Sequence, residues 1–280
     1  MQVETDYNVS EADFHRISEM VYKHCGINLH EGKQQLVKAR IAKRLRAGGY
    51  HDLKSYLEHV LADSTGNEFA LLIDAMSTNL TSFYREPDHF HYLAEIALPE
   101  AIARKQKARD NRLRIWSAGC STGEEPYTLA MVLLDSIDNT KQWDIKILAT
   151  DISTHVLKIA RCGFYSKPRL NTLPPGYQGR FFRARAVNDE KGYSVAPEIQ
   201  QMISFRHLNL MEQWPFSGPF DFIFCRNVMI YFDKPTQQRL VGRYWDVLSS
   251  GGVLFTGHSE SLTGVEHKFK YLRPTIYGKQ

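Results

Sequence analysis

The stretch Leu113-Arg114-Ile115-Trp116-Ser117-Ala118-Gly119-Cys120-Ser121-Thr122-Gly123-Glu124-Glu125-Pro126-Tyr127 decides the fold. Leu113 to Ala118 reads as a strand, the Gly/Ser run as a tight turn, and Glu124 to Asp135 as a helix. Glycine at such a junction lets the backbone approach a ligand, while free helix N–H groups point outward. Only Gly119 and Gly123 are present, so the pattern is not G-x-G-x-x-G, and Glu124-Glu125 would repel a pyrophosphate. These residues point instead to a ligand with a cationic end, such as the ammonium and sulfonium of S-adenosylmethionine. Taken alone, a plain turn followed by helix-start acids, which suit that end of the dipole, reads equally well.

Downstream the alternation continues. Ile145 to Ala149 is a second strand ending in Thr150-Asp151, followed by a helix to Arg161. Phe220 to Cys225 and Val253 to Thr256 are short, wholly apolar runs of the buried parallel type. Strands alternating with helices predict an α/β domain with a parallel, doubly wound sheet. Arg104 to Arg112 reads as a basic linker before it. Between Gly163 and Phe205 the pattern breaks, punctuated by Pro168, Pro174, Pro175 and Gly176. Phe181-Phe182, Tyr193-Ser194-Val195 and Met202-Ile203-Ser204-Phe205 read there as short strands, giving an inserted small β module over about 165–206.

Upstream, the first eighty or so residues read as helices. Ser10-Glu11-Ala12-Asp13 is a capped start, with Phe14, Ile17, Val21 and Tyr22 at helical spacing and Gly26 as the stop. Further helices run from Lys33 to Ala47 and from Leu53 to Leu61, and a fourth begins near Glu68. The expected organisation is an all-helical domain over 1–80 and an α/β domain over 81–280.

Of 280 residues, 43% are apolar and 24% charged, an ordinary globular mix. No segment reaches the roughly 18–20 apolar residues of a membrane helix, and Met1-Gln2-Val3-Glu4-Thr5-Asp6 lacks a signal-peptide layout. A cytoplasmic protein without membrane insertion is expected. The four cysteines show no CxxC spacing, and His89-Phe90-His91 reads as solvated or structural, so no metal is expected. A net charge of +4 is too mild to imply nucleic acid by itself.

Four further features carry chemistry. Asp151, at a strand's carboxyl end, can accept from both hydroxyls of a ribose, or else cap the helix from Ser153. Phe224-Cys225-Arg226-Asn227-Val228-Met229-Ile230-Tyr231-Phe232 ends an apolar strand in polar groups, the mark of a pocket. Asn79-Leu80-Thr81-Ser82-Phe83-Tyr84-Arg85-Glu86-Pro87 crowds the domain junction, where simple packing with Arg85 paired to an acid is the bland alternative. Lastly, between Gly32 and His51 there is no acid, while Lys33, Lys38, Arg40, Lys43, Arg44 and Arg46 all occur. Val37, Ile41 and Leu45 form the buried stripe there, with Arg40, Lys43 and Arg46 opposite. A basic helix is usually a solvated face; this one suggests an acidic partner.

Together these motifs resemble the CheR-type chemotaxis receptor methyltransferases. The resemblance rests on Asn79-x-Thr81-x-Phe83-x-Arg85-Glu86, the Trp116 to Tyr127 motif, Asp151-Ile152, Phe224 to Asp233 and Gly257-His258-Ser259-Glu260, in register from about residue 10 onward. It implies a class I (Rossmann-like) methyltransferase domain with an inserted β-subdomain, preceded by receptor-recognition helices. It places S-adenosylmethionine on Asn79, Thr81, Arg85, Glu125, Asp151, Asn209, Leu210, Arg226 and Asn227. Arg85 and Tyr231 match the catalytic-pocket positions, and Arg40, Lys43 and Arg46 would read acidic receptor helices. Gly119-Cys120 departs from relatives that carry alanines and would leave the pocket roomy. Some members also bind a receptor's C-terminal peptide on the β-subdomain; here the loop Val187-Asn188-Asp189-Glu190-Lys191-Gly192 is acidic with one glycine, and leaves that role open.

The implied reaction esterifies receptor glutamates for sensory adaptation, in a monomer recruited to membrane-bound receptor arrays. A free glutamate has a pKa of about 4.3, so it arrives ionised and no general base is required. Two other readings stand beside it. An RNA methyltransferase would use the basic helix, but no aromatic-interleaved basic patch accompanies it. A regulatory binding protein could keep the fold without turnover, though Asp151 and Tyr231 are both present.

Overall fold

The computed structural model describes residues 9–76, 79–187 and 189–280; the Met1 to Asp6 run and Asn188 of the acidic loop lie outside them. Four helices come first: α1 (Glu11–Cys25), α2 (Gln34–Gly48), α3 (Leu53–Ala62) and α4 (Asn67–Met76). Ser10 starts α1 with a reciprocal capping box to Asp13, and Gly26 ends it at φ 73°. Phe14, Ile17 and Val21 are buried, whereas Tyr22 is 38% exposed. The Tyr22 hydroxyl instead donates to Asp233 Oδ2 at 2.8 Å, tying α1 to the second domain. Along α2, Val37, Ile41 and Leu45 are buried, each contributing about 1.5–3 kcal/mol. They pack with Phe14, Tyr56, Leu57 and Leu72 into a core of their own.

Next come α5 (Pro87–Tyr92), a π turn over Leu93–Ala97, and α6 (Leu98–Lys107). The expected basic linker is therefore helical as far as Lys107. Its cations fall in the last turn of α6, where the helix dipole favours them, and Lys105 pairs with Asp110 at 3.2 Å and Asp221 at 3.1 Å.

The second domain runs β1 (Arg112–Ala118), α7 (Glu124–Ser136), β2 (Asp144–Asp151), α8 (Thr154–Cys162), β3 (Phe164–Tyr165), α9 (Tyr177–Phe181), β4 (Phe182–Val187), β5 (Glu190–Val195), α10 (Pro197–Gln200), β6 (Ile203–His207), β7 (Phe220–Cys225), α11 (Lys234–Val247), β8 (Leu248–Thr256), β9 (Lys270–Arg273) and β10 (Ile276–Gly278). The main sheet has the order β6-β2-β1-β7-β8-β10-β9. Its first five strands are parallel, and β10 joins β8 antiparallel. Cores lie on both faces, with Trp116 fully buried and its indole N–H donating to Thr150 Oγ1 at 2.9 Å.

Two features depart from the sequence reading. Ile203–His207 is not part of the insert: it is an edge strand of the main sheet, with Phe205 opposite Ala149 of β2. The antiparallel sheet of the insert, order β3-β5-β4, ends at Val195. The β9–β10 hairpin that closes the sheet was not anticipated.

Candidate functional site

A cleft of about 980 Å³, measured out to its open mouth, lies at the carboxyl ends of β1, β2, β6 and β7. Strand order reverses between β1 and β7, the place where open α/β sheets bind ligands. Gly119 leaves β1 at φ 90°, and a Cβ there would come within 2.3 Å of Val228 Cγ2. The space this glycine frees is thus filled by Val228 and does not enlarge the pocket. Gly119 and Cys120 N–H groups both donate to Thr150 O, at 2.8 and 2.9 Å, and fold the turn back over β2.

Asp151 sits under that turn. Its Oδ2 accepts from Ser121 N–H at 2.8 Å and its Oδ1 from Ser153 N–H at 2.9 Å. The helix cap of α8 is Ser153 itself. Each carboxylate oxygen keeps acceptor capacity toward the cleft, which suits a pair of ribose hydroxyls. Burial raises the Asp151 pKa to about 6, against the lowering effect of these two N–H groups.

Arg226 organises the opposite wall. Its guanidinium pairs with Glu86 and Glu125, each at 3.1 Å, donates to the Arg85 carbonyl, and lies over the Phe90 ring. Glu125 also accepts from Ser117 Oγ at 2.7 Å. Burial raises the Glu125 pKa despite Arg226. Burial also works to raise Glu86, but the charge and hydrogen bonds of Arg226 prevail and hold it below its ordinary value. The charged residues that line the cleft are Asp151, Glu125, Arg226 and Arg85, and Glu86 pairs with Arg226 without lining it. Arg85 donates to Leu80 O at 2.8 Å and stands 4.0 Å from Glu86.

Asn227, at φ 59°, donates its amide N–H to Glu260 Oε2 at 2.6 Å and its side chain to Glu86 at 3.3 Å. Glu260 also accepts from Gly257 and Ile230 N–H groups, so the late Gly257 to Glu260 motif fixes the turn that carries Tyr231. Asn209 lines the cleft while its amide reaches the His24 carbonyl at 2.7 Å, and Asn28 N–H donates to Tyr231 O at 2.7 Å. Both contacts bind the helical domain to the site.

Asn79, Thr81, Arg85, Glu125, Asp151, Asn209, Leu210, Arg226, Asn227 and Tyr231 therefore meet in one cleft. Sequence reasoning missed Cys25 and Ile27, which wall it from the end of α1, because apolar residues carry no signal of a ligand. Glu86, within the Asn79 to Pro87 motif, acts on the site through its pair with Arg226.

Arg40, Lys43 and Arg46 stand apart on α2. Arg40 is half-buried and donates to the Met76 carbonyl at 2.5 Å, while Lys43 and Arg46 are exposed. The expected absence of compensating acid is corrected for Arg44, which pairs with Glu68 of α4 at 2.5 Å.

Glu86, His89 and His258 each offer a ligand atom within 4.8 Å of the others. Thr275 Oγ1 donates to Pro274 O at 2.7 Å, so it accepts from His89 Nε2 at 2.8 Å and leaves Nδ1 facing Glu86 at 3.5 Å. Burial and the Arg226 charge depress the His89 pKa to about 3. Burial, the larger of these two effects, leaves the His89 imidazole neutral.

Residues 79–277 match the family described as CheR methyltransferase, SAM binding domain, and residues 12–77 its all-alpha domain. The chain is 41% identical to chemotaxis protein methyltransferase 2 of Pseudomonas aeruginosa, over 97% of this chain and 94% of that one. It is 39% identical to the chemotaxis protein methyltransferase of Escherichia coli, over 96% and 91% of the two chains. The protein of that name from Borreliella burgdorferi is also 39% identical, over 97% and 95%.

Proposed function

The chain belongs to the CheR methyltransferase family, and we propose that it converts glutamate side chains of chemotaxis receptors to methyl esters. It is an S-adenosylmethionine-dependent methyltransferase. The observation that carries the reading is the division of charge in the cleft. Asp151 and Glu125 line the cleft as acidic groups for a cationic cofactor, and Arg85 and Tyr231 stand at the same cleft to meet an anionic acceptor.

When bound, S-adenosylmethionine supplies an electrophilic methyl carbon: the carboxylate oxygen bonds to it, the C–S electron pair passes to sulfur, and a neutral thioether leaves. No proton is released, because the acceptor is already ionised at neutral pH. Asp151 holds the ribose, and Glu125 with Arg226 shapes the charged end. Tyr231 orients the acceptor carboxylate through its hydroxyl. Arg85 guides that carboxylate; a tight ion pair would blunt its nucleophilicity, and the existing contacts of Arg85 with Leu80 and Glu86 temper its charge. Exclusion of water from the anion and in-line alignment supply the acceleration.

The helical domain is the proposed reader of acidic receptor helices, through Lys43 and Arg46 with Arg40 behind them. The protein would act as a monomer in the cytoplasm, recruited to receptor arrays; among the described residues no helix is long and apolar enough to cross a membrane. The RNA and turnover-free readings are not favoured by relatives that carry the methyltransferase name over more than nine-tenths of this chain. Titration calorimetry with S-adenosylhomocysteine tests the cofactor assignment. Labelled methyl transfer to a receptor fragment and to RNA in parallel tests the acceptor. Label in RNA, or in neither, would refute the proposal.

A further inference from the structure

Two side chains of the inserted module reach the turn that holds Asp151, although neither lines the cleft. Tyr165 Oη donates to the Thr122 carbonyl at 2.6 Å. Arg169 donates to Thr122 Oγ1 at 2.7 Å, and the same nitrogen pairs with Glu124 Oε1. Glu124 is fully buried, and its other oxygen accepts the Thr122 hydroxyl at 2.7 Å. Without Arg169 that carboxylate would be a buried charge with no counter-ion. The module thus grips Thr122 at carbonyl and hydroxyl together.

The grip matters for what precedes Thr122. Ser121 lies at φ 48°, a left-handed conformation that non-glycine residues adopt only when their surroundings hold them there. In that conformation its N–H points at Asp151 Oδ2, and its hydroxyl reaches Asn79 O at 2.9 Å. Gly123, at φ 98°, packs so closely on Tyr165 that a Cβ would fall 2.9 Å from the phenol oxygen. From these contacts we propose that Arg169 and Tyr165 are positioning residues for the cofactor. They fix the Ser121–Gly123 backbone and, through Ser121, the carboxylate that binds the ribose. The inserted module then supports the cofactor site from outside the cleft. This rests on the S-adenosylmethionine reading above.

The test is titration of the full chain with S-adenosylhomocysteine, with thermal melts to establish folding. Arg169→Met should weaken binding about tenfold or more, because the turn loses its aim at Asp151. Its KM for a receptor fragment at saturating cofactor should stay within about twofold, since no acceptor contact is touched. Arg169→Lys should restore most of the affinity, as one ammonium can serve both Glu124 and Thr122. Tyr165→Phe should weaken binding severalfold. The double variant Glu124→Gln with Arg169→Met removes the buried charge with its partner, and carries the test if the single variant does not fold. It too should bind weakly. Parental affinity in folded Arg169→Met, or in the double variant, overturns the proposal. Failure of the parent protein to bind overturns the cofactor reading and this proposal with it.

Discussion

Arg226 Nη2 and Glu86 Oε2 pair at 3.1 Å, joining the end of β7 to the entrance of α5, with the Arg226 side chain 2% exposed. The same guanidinium holds Glu125 of α7 and the carbonyl of Arg85, so one cation fixes three walls of the cleft. Glu86 reaches it at φ 57°, again a left-handed non-glycine conformation.

Removing Arg226 should therefore do more than weaken cofactor binding. Arg226→Met leaves the nearly buried Glu125 without a counter-ion and Glu86 with Arg85 at 4.0 Å, a change that costs about 3–5 kcal/mol. Urea unfolding should show the loss as a lower midpoint. A parental midpoint would mean that Glu86 and Glu125 find other partners.

Asp151 gives the site a pH dependence with a definite sign. Burial raises its pKa to about 6 in the free protein, and ribose hydroxyls donate more strongly to the ionised carboxylate than to the protonated acid. Affinity for S-adenosylhomocysteine should be level above pH 6 and fall below it, by at most about tenfold per pH unit. Asp151→Asn should bind more weakly and flatten this dependence. For stability the sign is opposite to that of an ordinary carboxylate: the folded state binds the extra proton, so stability drops as pH rises toward about 6. Asp151→Asn should lose this pH dependence of stability, while its amide nitrogen leaves one of the Ser121 and Ser153 N–H groups without an acceptor. A parental pH profile in the variant would remove Asp151 from the ribose site.

Tyr231→Phe keeps the ring that Lys33 faces at 5.5 Å and removes only the hydroxyl. Turnover should fall by about tenfold or more with cofactor affinity unchanged, the signature of a contact made in the transition state. Steady-state rates at saturating receptor decide this; an unchanged kcat would take Tyr231 out of the reaction.

On α2, the informative variant is Lys43→Ala with Arg46→Ala. Arg40 and Arg44 are held by Met76 and Glu68 and belong to the fold. Attraction of an acidic helix by exposed cations is screened beyond a Debye length of about 8 Å at physiological ionic strength. Receptor methylation should slow at low salt and lose most of its salt dependence, with S-adenosylhomocysteine affinity unchanged. Parental rates across the salt range would make α2 a solvated face.

The cleft was legible because its polar residues sit at strand ends, where a buried polar group needs a reason. Gly119, Asp151 and Arg226 announce the carboxyl edges of β1, β2 and β7, and the helical stripe Val37, Ile41 and Leu45 announces α2. What was not legible is set by tertiary packing. Ile203–His207 is too short a run to reveal which sheet it joins, and pairing with β2 decides it. The basic turn of α6 looked like a linker because its counter-ion Asp221 lies over a hundred residues away on β7. Glu68 neutralises Arg44 from another helix, which a reading confined to one basic run omits. Cys25 and Ile27 reach the cleft only because α1 docks on the β6–β7 connection through His24 and Asn209.

The proposed methyl acceptor is an ionised side-chain carboxylate. The direct test is to incubate the protein with S-adenosylmethionine labelled in the methyl group and a cytoplasmic receptor fragment, then treat the product with mild alkali. A methyl ester predicts that the label is released as volatile methanol, and that Glu→Gln changes at the acceptor positions abolish incorporation. Label that survives alkali, as it would on a nitrogen or a nucleic-acid base, would contradict the account.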